Sequence, residues 1–224
     1  VARARPAKGR VAEAAAWPCA GVQALTLLYY VFERSDAACL LTAPPFLSHV
    51  SGVTARPLHL VLWTCSVSAQ VLAIYSVERE LSARMPRPPP SNARRDCCAA
   101  LVAVQVMCWC SALLDARGPG ATGYGLALAA LSCAAFYALL AKGVRGPLAR
   151  GAAAARRGKD ERIAAQLERA AVFFTVAWHG FPLVWGAGVL GAVGDARVRL
   201  GYVLCDVVAK FLPASIYVSL AVDP

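Results

Sequence analysis

Charge is scarce in this chain. Only 16% of its residues are Asp, Glu, Lys or Arg and 58% are hydrophobic, whereas ordinary soluble domains carry about a quarter charged residues. With a mean hydropathy of +0.53, that deficit excludes an ordinary soluble domain and points to lipid as the solvent. Patterned cysteine is also missing. The nine cysteines contain no C-x-x-C pair, and most fall inside apolar stretches. They read as small, buried, unpaired residues rather than disulfides or metal ligands. Cys108 and Cys110, two apart on a helix, point to different faces. No short apolar core follows the basic opening VARARPAKGR, so no cleavable signal peptide is expected. The first residue is Val rather than Met, which suggests a processed, truncated or excerpted chain. Repeats, heptad arrays and a soluble domain are absent too.

One excess remains, a formal charge of +10. A nucleic-acid binder gathers its basic residues on a soluble face. Here they fall in short runs between apolar stretches, as in membrane loops. No nucleic acid is expected, and the lipid bilayer is the expected partner.

Spanning a bilayer takes roughly 17–25 apolar residues. Six runs qualify, at about 11–32, 57–77, 97–114, 122–142, 163–192 and 199–222, so the fold class is all-α transmembrane, a single domain over 1–224. The fifth run opens with the amphipathic ERIAAQLERA and is expected to extend into water. Breakers fill the connections: TAPPF, MPRPPPSN, ARGPGATG and KGVRGPLARG. Sixteen basic residues lie before the first run, between the second and third, and between the fourth and fifth; the alternate connections hold five. The heavily basic set is therefore expected in the cytoplasm, and with six spans so are both termini.

Ionisable groups at membrane depth are functional hypotheses by default. Asp206 and Lys210, in LCDVVAKFLP, are spaced i,i+4 and share a helix face. A carboxylate one turn away favours the charged ammonium, and on this spacing alone a structural ion pair between packed helices is an equal reading. In FFTVAWHGFPLVWGAG, Trp178, Phe181, Pro182 and Trp185 form one stripe, with Pro182 freeing a carbonyl. Such a stripe serves core packing, or walls a long apolar conjugated ligand. In RPLHLVLWTCSVSAQ, His59, Leu62 or Trp63, and Ser66 recur on one side. His59, in the outer third of its span, also reads as a hydrogen-bonded interfacial histidine.

These residues resemble the microbial (type 1) rhodopsins. W-x-x-[YF]-P-x-x-W is similar to that family's sixth helix, and D-x-x-x-K to its seventh. The segment around Trp63 looks like the third helix and SCAAF at 132–136 like the fifth. The order and spacing agree over nearly the whole chain. The family has seven helices and an outside N-terminus. The six runs correspond to the second through seventh, with the first expected upstream of Val1.

The resemblance implies all-trans retinal as a Schiff base on Lys210, with Asp206 as counterion. It implies that Trp178, Trp185, Phe181, Pro182 and Trp63 line the polyene, with Leu62, Ser66, Val67, His59, Cys108, Ala112, Ser132, Cys133 and Phe136 around the pocket. No catalytic residue, enzyme activity or metal is expected. Where the family's pumps carry a carboxylate just before the third-helix tryptophan, this chain has Leu62, which cannot accept a proton. Three turns further in it has Ala73 in place of a carboxylate donor. His59 stands where an arginine is usual, with Arg56 one turn earlier, and Ser68 replaces a proline. An outward proton pump is not expected.

The expected function is a light-absorbing photoreceptor that signals by helix movement to a fused or separate effector. The alternatives are a light-gated ion channel and a non-photoreceptor membrane protein with a structural Lys–Asp pair. Channels usually line their pore with several glutamates on the second helix; the run at 11–32 offers only Glu13 and Gln23, which favours the sensor. The family also forms homo-oligomers.

Overall fold

The computed structural model describes residues 16, 19–28, 31, 57–83, 92–117, 123–190 and 192–211. Among the described residues every element is helical and there is no strand. In chain order the helices are α1 (Cys19–Leu28), α2 (Pro57–Ser82), α3 (Ala93–Arg117), α4 (Gly123–Leu139), α5 (Gly146–Arg157), α6 (Glu161–Val189) and α7 (Asp195–Asp206). Two π-helical turns continue them: Leu140–Arg145 joins α4 to α5, and Val207–Phe211 extends α7.

Among the described residues three helices are long and apolar enough to cross a membrane: Ala93–Leu113, Gly125–Arg157 and Glu161–Gly188. They overlap the runs expected at 97–114, 122–142 and 163–192, and the second extends well beyond its run. Helix α2 covers the run at 57–77 and continues through Glu78, Arg79 and Glu80 to Ser82. Helix α1 lies inside the run at 11–32, and α7 with its π turn covers the start of 199–222. Apart from residues 16 and 31, the remainder of those two runs lies outside the described residues.

The helices are apolar on both sides, which marks either the core of a large protein or a membrane span. Helix α6 buries Ala170, Phe174 and Trp178 inward while Val172, Val176 and Leu183 stay exposed. The inner core is made by α2 (Val71, Ile74, Val77), α3 (Val104), the α4–α5 rod (Leu139, Val144, Leu148) and α6 (Ile163, Leu167, Phe174). At its start α6 is amphipathic as the sequence leads one to expect: Ile163, Ala164 and Leu167 are buried, Glu161, Arg162 and Glu168 exposed. The Asp160 carboxylate caps it by accepting from the Ile163 N–H at 3.1 Å, one of the donors left over at a helix start.

Two sequence expectations need correction. KGVRGPLARG is not a connecting loop, because the helix runs unbroken from Gly125 to Arg157. Pro147 falls in the first turn of α5, where a missing N–H costs least, and the π turn before it absorbs the irregularity. Gly143 serves close packing: a Cβ there would lie 2.9 Å from Leu139 Cδ1 and 3.2 Å from both Ala100 Cβ and Val71 Cγ2. The cysteines are also not uniformly buried. All eight described ones are free, but Cys65, Cys98 and Cys133 are exposed. Cys108 and Cys110 do face different ways, one into the main core and one toward Leu128. Cys39 lies outside the described residues.

A half-buried polar knot ties one end of the bundle. Arg150 of α5 donates from Nη2 to Glu78 Oε2 and from Nη1 to Asp96 Oδ2, each at 3.1 Å. Lys142 Nζ sits 3.0 Å from the other Asp96 oxygen, and the Tyr75 hydroxyl donates to the Lys142 carbonyl at 2.7 Å. Helices α2, α3 and the α4–α5 rod are thereby fixed in one register.

Gly143→Val is expected to lower the thermal unfolding midpoint in detergent, as overpacking costs about 1–3 kcal/mol. Gly21→Ala, where a Cβ would meet nothing within 4 Å, serves as the control, with an unchanged or higher midpoint. Equal midpoints for parent and Gly143→Val would refute the close-packing role.

Candidate functional site

The final described turn carries the two ionisable groups singled out by spacing. Lys210 Nζ lies 2.6 Å from Asp206 Oδ1, with side-chain exposures of 2% and 0%. An ion pair so deep is costly unless each charge keeps its partner. Asp206 ends α7 and Lys210 stands within the π turn that follows, so the lysine departs from the α-helical path just where its amine must meet the carboxylate.

Lys210 opens onto a narrow cavity of about 60 Å³, several times the roughly 10–15 Å³ that one water needs. Five elements line it: Trp63, Val67 and Gln70 from α2; Met107, Cys108 and Ser111 from α3; Ser132, Cys133, Phe136 and Leu139 from α4; Trp178, Phe181, Pro182 and Trp185 from α6; Ala209 and Lys210 from the π turn. The stripe on α6 therefore faces one space, and the helix runs through Pro182 without interruption. Trp63 is wedged between Phe181 and Tyr202, with ring centroids 5.2 and 5.1 Å away, both edge-on. That is a favourable arrangement of ring quadrupoles, and it locks α2 against α6 and α7. Elsewhere in the lining the Ser111 and Ser132 hydroxyls are 2.9 Å apart, and Ser132 donates to the Met107 carbonyl at 3.3 Å.

Most residues singled out from the sequence converge here: Lys210, Trp178, Phe181, Pro182, Trp185, Trp63, Val67, Cys108, Ser132, Cys133 and Phe136 all line the cavity. Others do not. Asp206 pairs with the lysine from behind the wall. Leu62 and Ser66 are buried on α2 but off the lining. Ala112 is displaced by its neighbour Ser111, because each residue turns an α-helix by about 100°. His59 lies on α2, and its side chain is outside the described residues.

Gln70, Met107, Tyr202 and His179 carried no expectation from the sequence, and Gln23 was singled out only against a channel pore. Helical period was the available signal for two of them. Gln70 follows Trp63 by seven and Ser66 by four, and Tyr202 precedes Asp206 by four. His179 hydrogen-bonds through Nδ1 with the Thr175 carbonyl and meets Phe136 edge-on at 5.2 Å, behind the cavity wall.

Chemically, an amine facing an apolar, aromatic slot suits a carbonyl compound with a long nonpolar body. The amine is the nucleophile for imine formation, and the neighbouring carboxylate balances the cation that results. A polyene aldehyde is one such compound.

Three of the five tryptophans line this cavity, so titration with a conjugated polyene aldehyde is expected to quench most of the intrinsic tryptophan emission saturably. Quenching no stronger than that of free tryptophan under the same conditions would count against the cavity as the binding place. Compared with protein-family profiles and with curated proteins, the chain matches none.

Proposed function

We propose that the chain is a multi-pass, retinal-binding photoreceptor membrane protein of the microbial-rhodopsin type, corresponding to the second through seventh helices of that seven-helix bundle. The observation that carries this is the buried Lys210–Asp206 pair at 2.6 Å, set at the end of a slot walled by Trp63, Trp178, Phe181 and Trp185. A structural ion pair needs no cavity; a chromophore lysine does. All-trans retinal, held as a Schiff base on Lys210, would supply visible absorption and light-driven isomerisation.

The chain's own groups would do the rest. Asp206 holds the positive charge at Nζ and fixes its direction. Trp63 and Trp178 restrict the ligand's plane, and the apolar lining excludes water from the amine. Leu62 and Ala73 are buried and apolar, so α2 offers no carboxylate at either position, which favours a sensor over an outward proton pump. A change in cavity shape bears directly on α6, whose far end packs against α5 in a basic hairpin. That hairpin is the surface a signalling partner or a fused effector would read. The basic connections and the C-terminal end are placed in the cytoplasm on charge, and the family resemblance extends to homo-oligomers.

With all-trans retinal the protein is expected to show a visible absorption band that Lys210→Ala abolishes. Asp206→Asn is expected to move the band toward the ultraviolet at neutral pH, because the carboxylate is the principal anion beside the lysine. A band surviving Lys210→Ala would sink the proposal. Voltage-clamp recording under illumination separates the output classes: no photocurrent is expected from a sensor, and a passive light-gated current would make the protein a channel.

A further inference from the structure

We infer that two glutamines, Gln23 of α1 and Gln70 of α2, are positioning residues that set where the Lys210 amine points by gripping the backbone of its π turn. Gln23 Nε2 donates to the Lys210 carbonyl at 2.8 Å. Gln70 Nε2 makes a longer contact, 3.5 Å, to the adjacent Ala209 carbonyl. The two amides come from helices 187 and 139 residues away in sequence, and they meet on consecutive peptide units.

The π turn explains why they are needed. It carries one residue more than an α turn and interrupts the regular i→i−4 ladder. In an apolar surrounding every backbone polar group still has to be satisfied, and irregular backbone persists only where neighbouring helices supply partners. Returning the turn to α geometry would keep Lys210 on the same face as Asp206 but would change the path of the backbone that carries it, and with it the direction of Nζ relative to the slot. The side-chain amides therefore stabilise the backbone path from which the amine reaches both carboxylate and cavity. Gln23 does so without lining the cavity, so its effect on the lysine is indirect. The lysine's role as chromophore site rests on the function proposed above; the pairing of the amides with the turn does not.

The test uses the full chain in lipid bilayers, first without retinal. Its four lysines are labelled with ¹³C at the carbonyl and ¹⁵N at Nζ and observed by solid-state NMR. Gln23→Met is expected to shift the Lys210 carbonyl upfield through loss of the hydrogen bond and to move its Nζ resonance, leaving the other three lysines unchanged. Tyr75→Phe calibrates the carbonyl shift at Lys142, whose carbonyl accepts from that hydroxyl. Leu27→Ala, an exposed site on α1, is expected to move neither signal.

A carbonyl that does not shift overturns the contact, and one that shifts while Nζ stays overturns the positioning role. If Gln23→Met does not accumulate, Gln70→Met carries the same test with ¹³C at the alanine carbonyls and ¹⁵N at the lysine amides and Nζ, read at the Ala209–Lys210 peptide and at Lys210 Nζ. With retinal added, the Gln23 variant is expected to shift the absorption maximum relative to parent and Leu27→Ala. A parent chain that forms no pigment refutes the proposed function, while the retinal-free signals still decide the role of the glutamines.

Discussion

A buried ammonium and a buried carboxylate, 2.6 Å apart on one helix end, constrain most of what surrounds them. Each charge is tolerable only while the other is in place, since removing one partner of a buried pair costs about 3–5 kcal/mol. The end of α7 therefore cannot slide or rotate freely. The π turn, the glutamine contacts on its carbonyls and the Trp63–Tyr202 packing beside it all act in the same direction. Stability alone does not call for this arrangement, because well-packed apolar residues of similar volume would serve as well or better. The cost is intelligible if the amine has chemistry to perform at the mouth of the slot.

Helix α2 is the element that connects the two irregular turns. Its Gln70 reaches Ala209 in the π turn of α7, and its Tyr75 reaches Lys142 in the π turn between α4 and α5. Both contacts leave one helix five residues apart. Glu78, less than a turn beyond Tyr75, then takes Arg150 on the far side of the second π turn. One helix thus touches the turn that carries the lysine at one level and the basic end of the bundle at another.

Much of this was legible in the sequence, for specific reasons. The α6 stripe was readable because a helix repeats every 3.6 residues and four large residues obeyed that period. Asp206 and Lys210 were readable because ionisable groups are rare in apolar runs. What escaped had no periodic or compositional mark. Gly143 and Pro147 look like breakers until their neighbours are known, for a glycine that permits close approach and one that ends a helix are spelled alike. The π turns left no local signature, and Gln23 could not be linked to Lys210 without knowing which helices touch. Ala112 was misassigned to the cavity in place of Ser111 by a single residue, about the error that register-matching by resemblance brings.

The unbroken rod from Gly125 to Arg157 has a mechanical consequence. Its 33 residues make a length of roughly 50 Å at about 1.5 Å per residue, against a bilayer hydrocarbon core about 30 Å thick. A rod seated in such a core would overhang it by roughly 20 Å, with the π turn near the fulcrum. The segment beyond that turn is not a free lever, because Leu148 and Ala152 are buried in the core and Arg150 is tied to Glu78 and Asp96. A tilt of the rod would have to carry α2 and α3 with it.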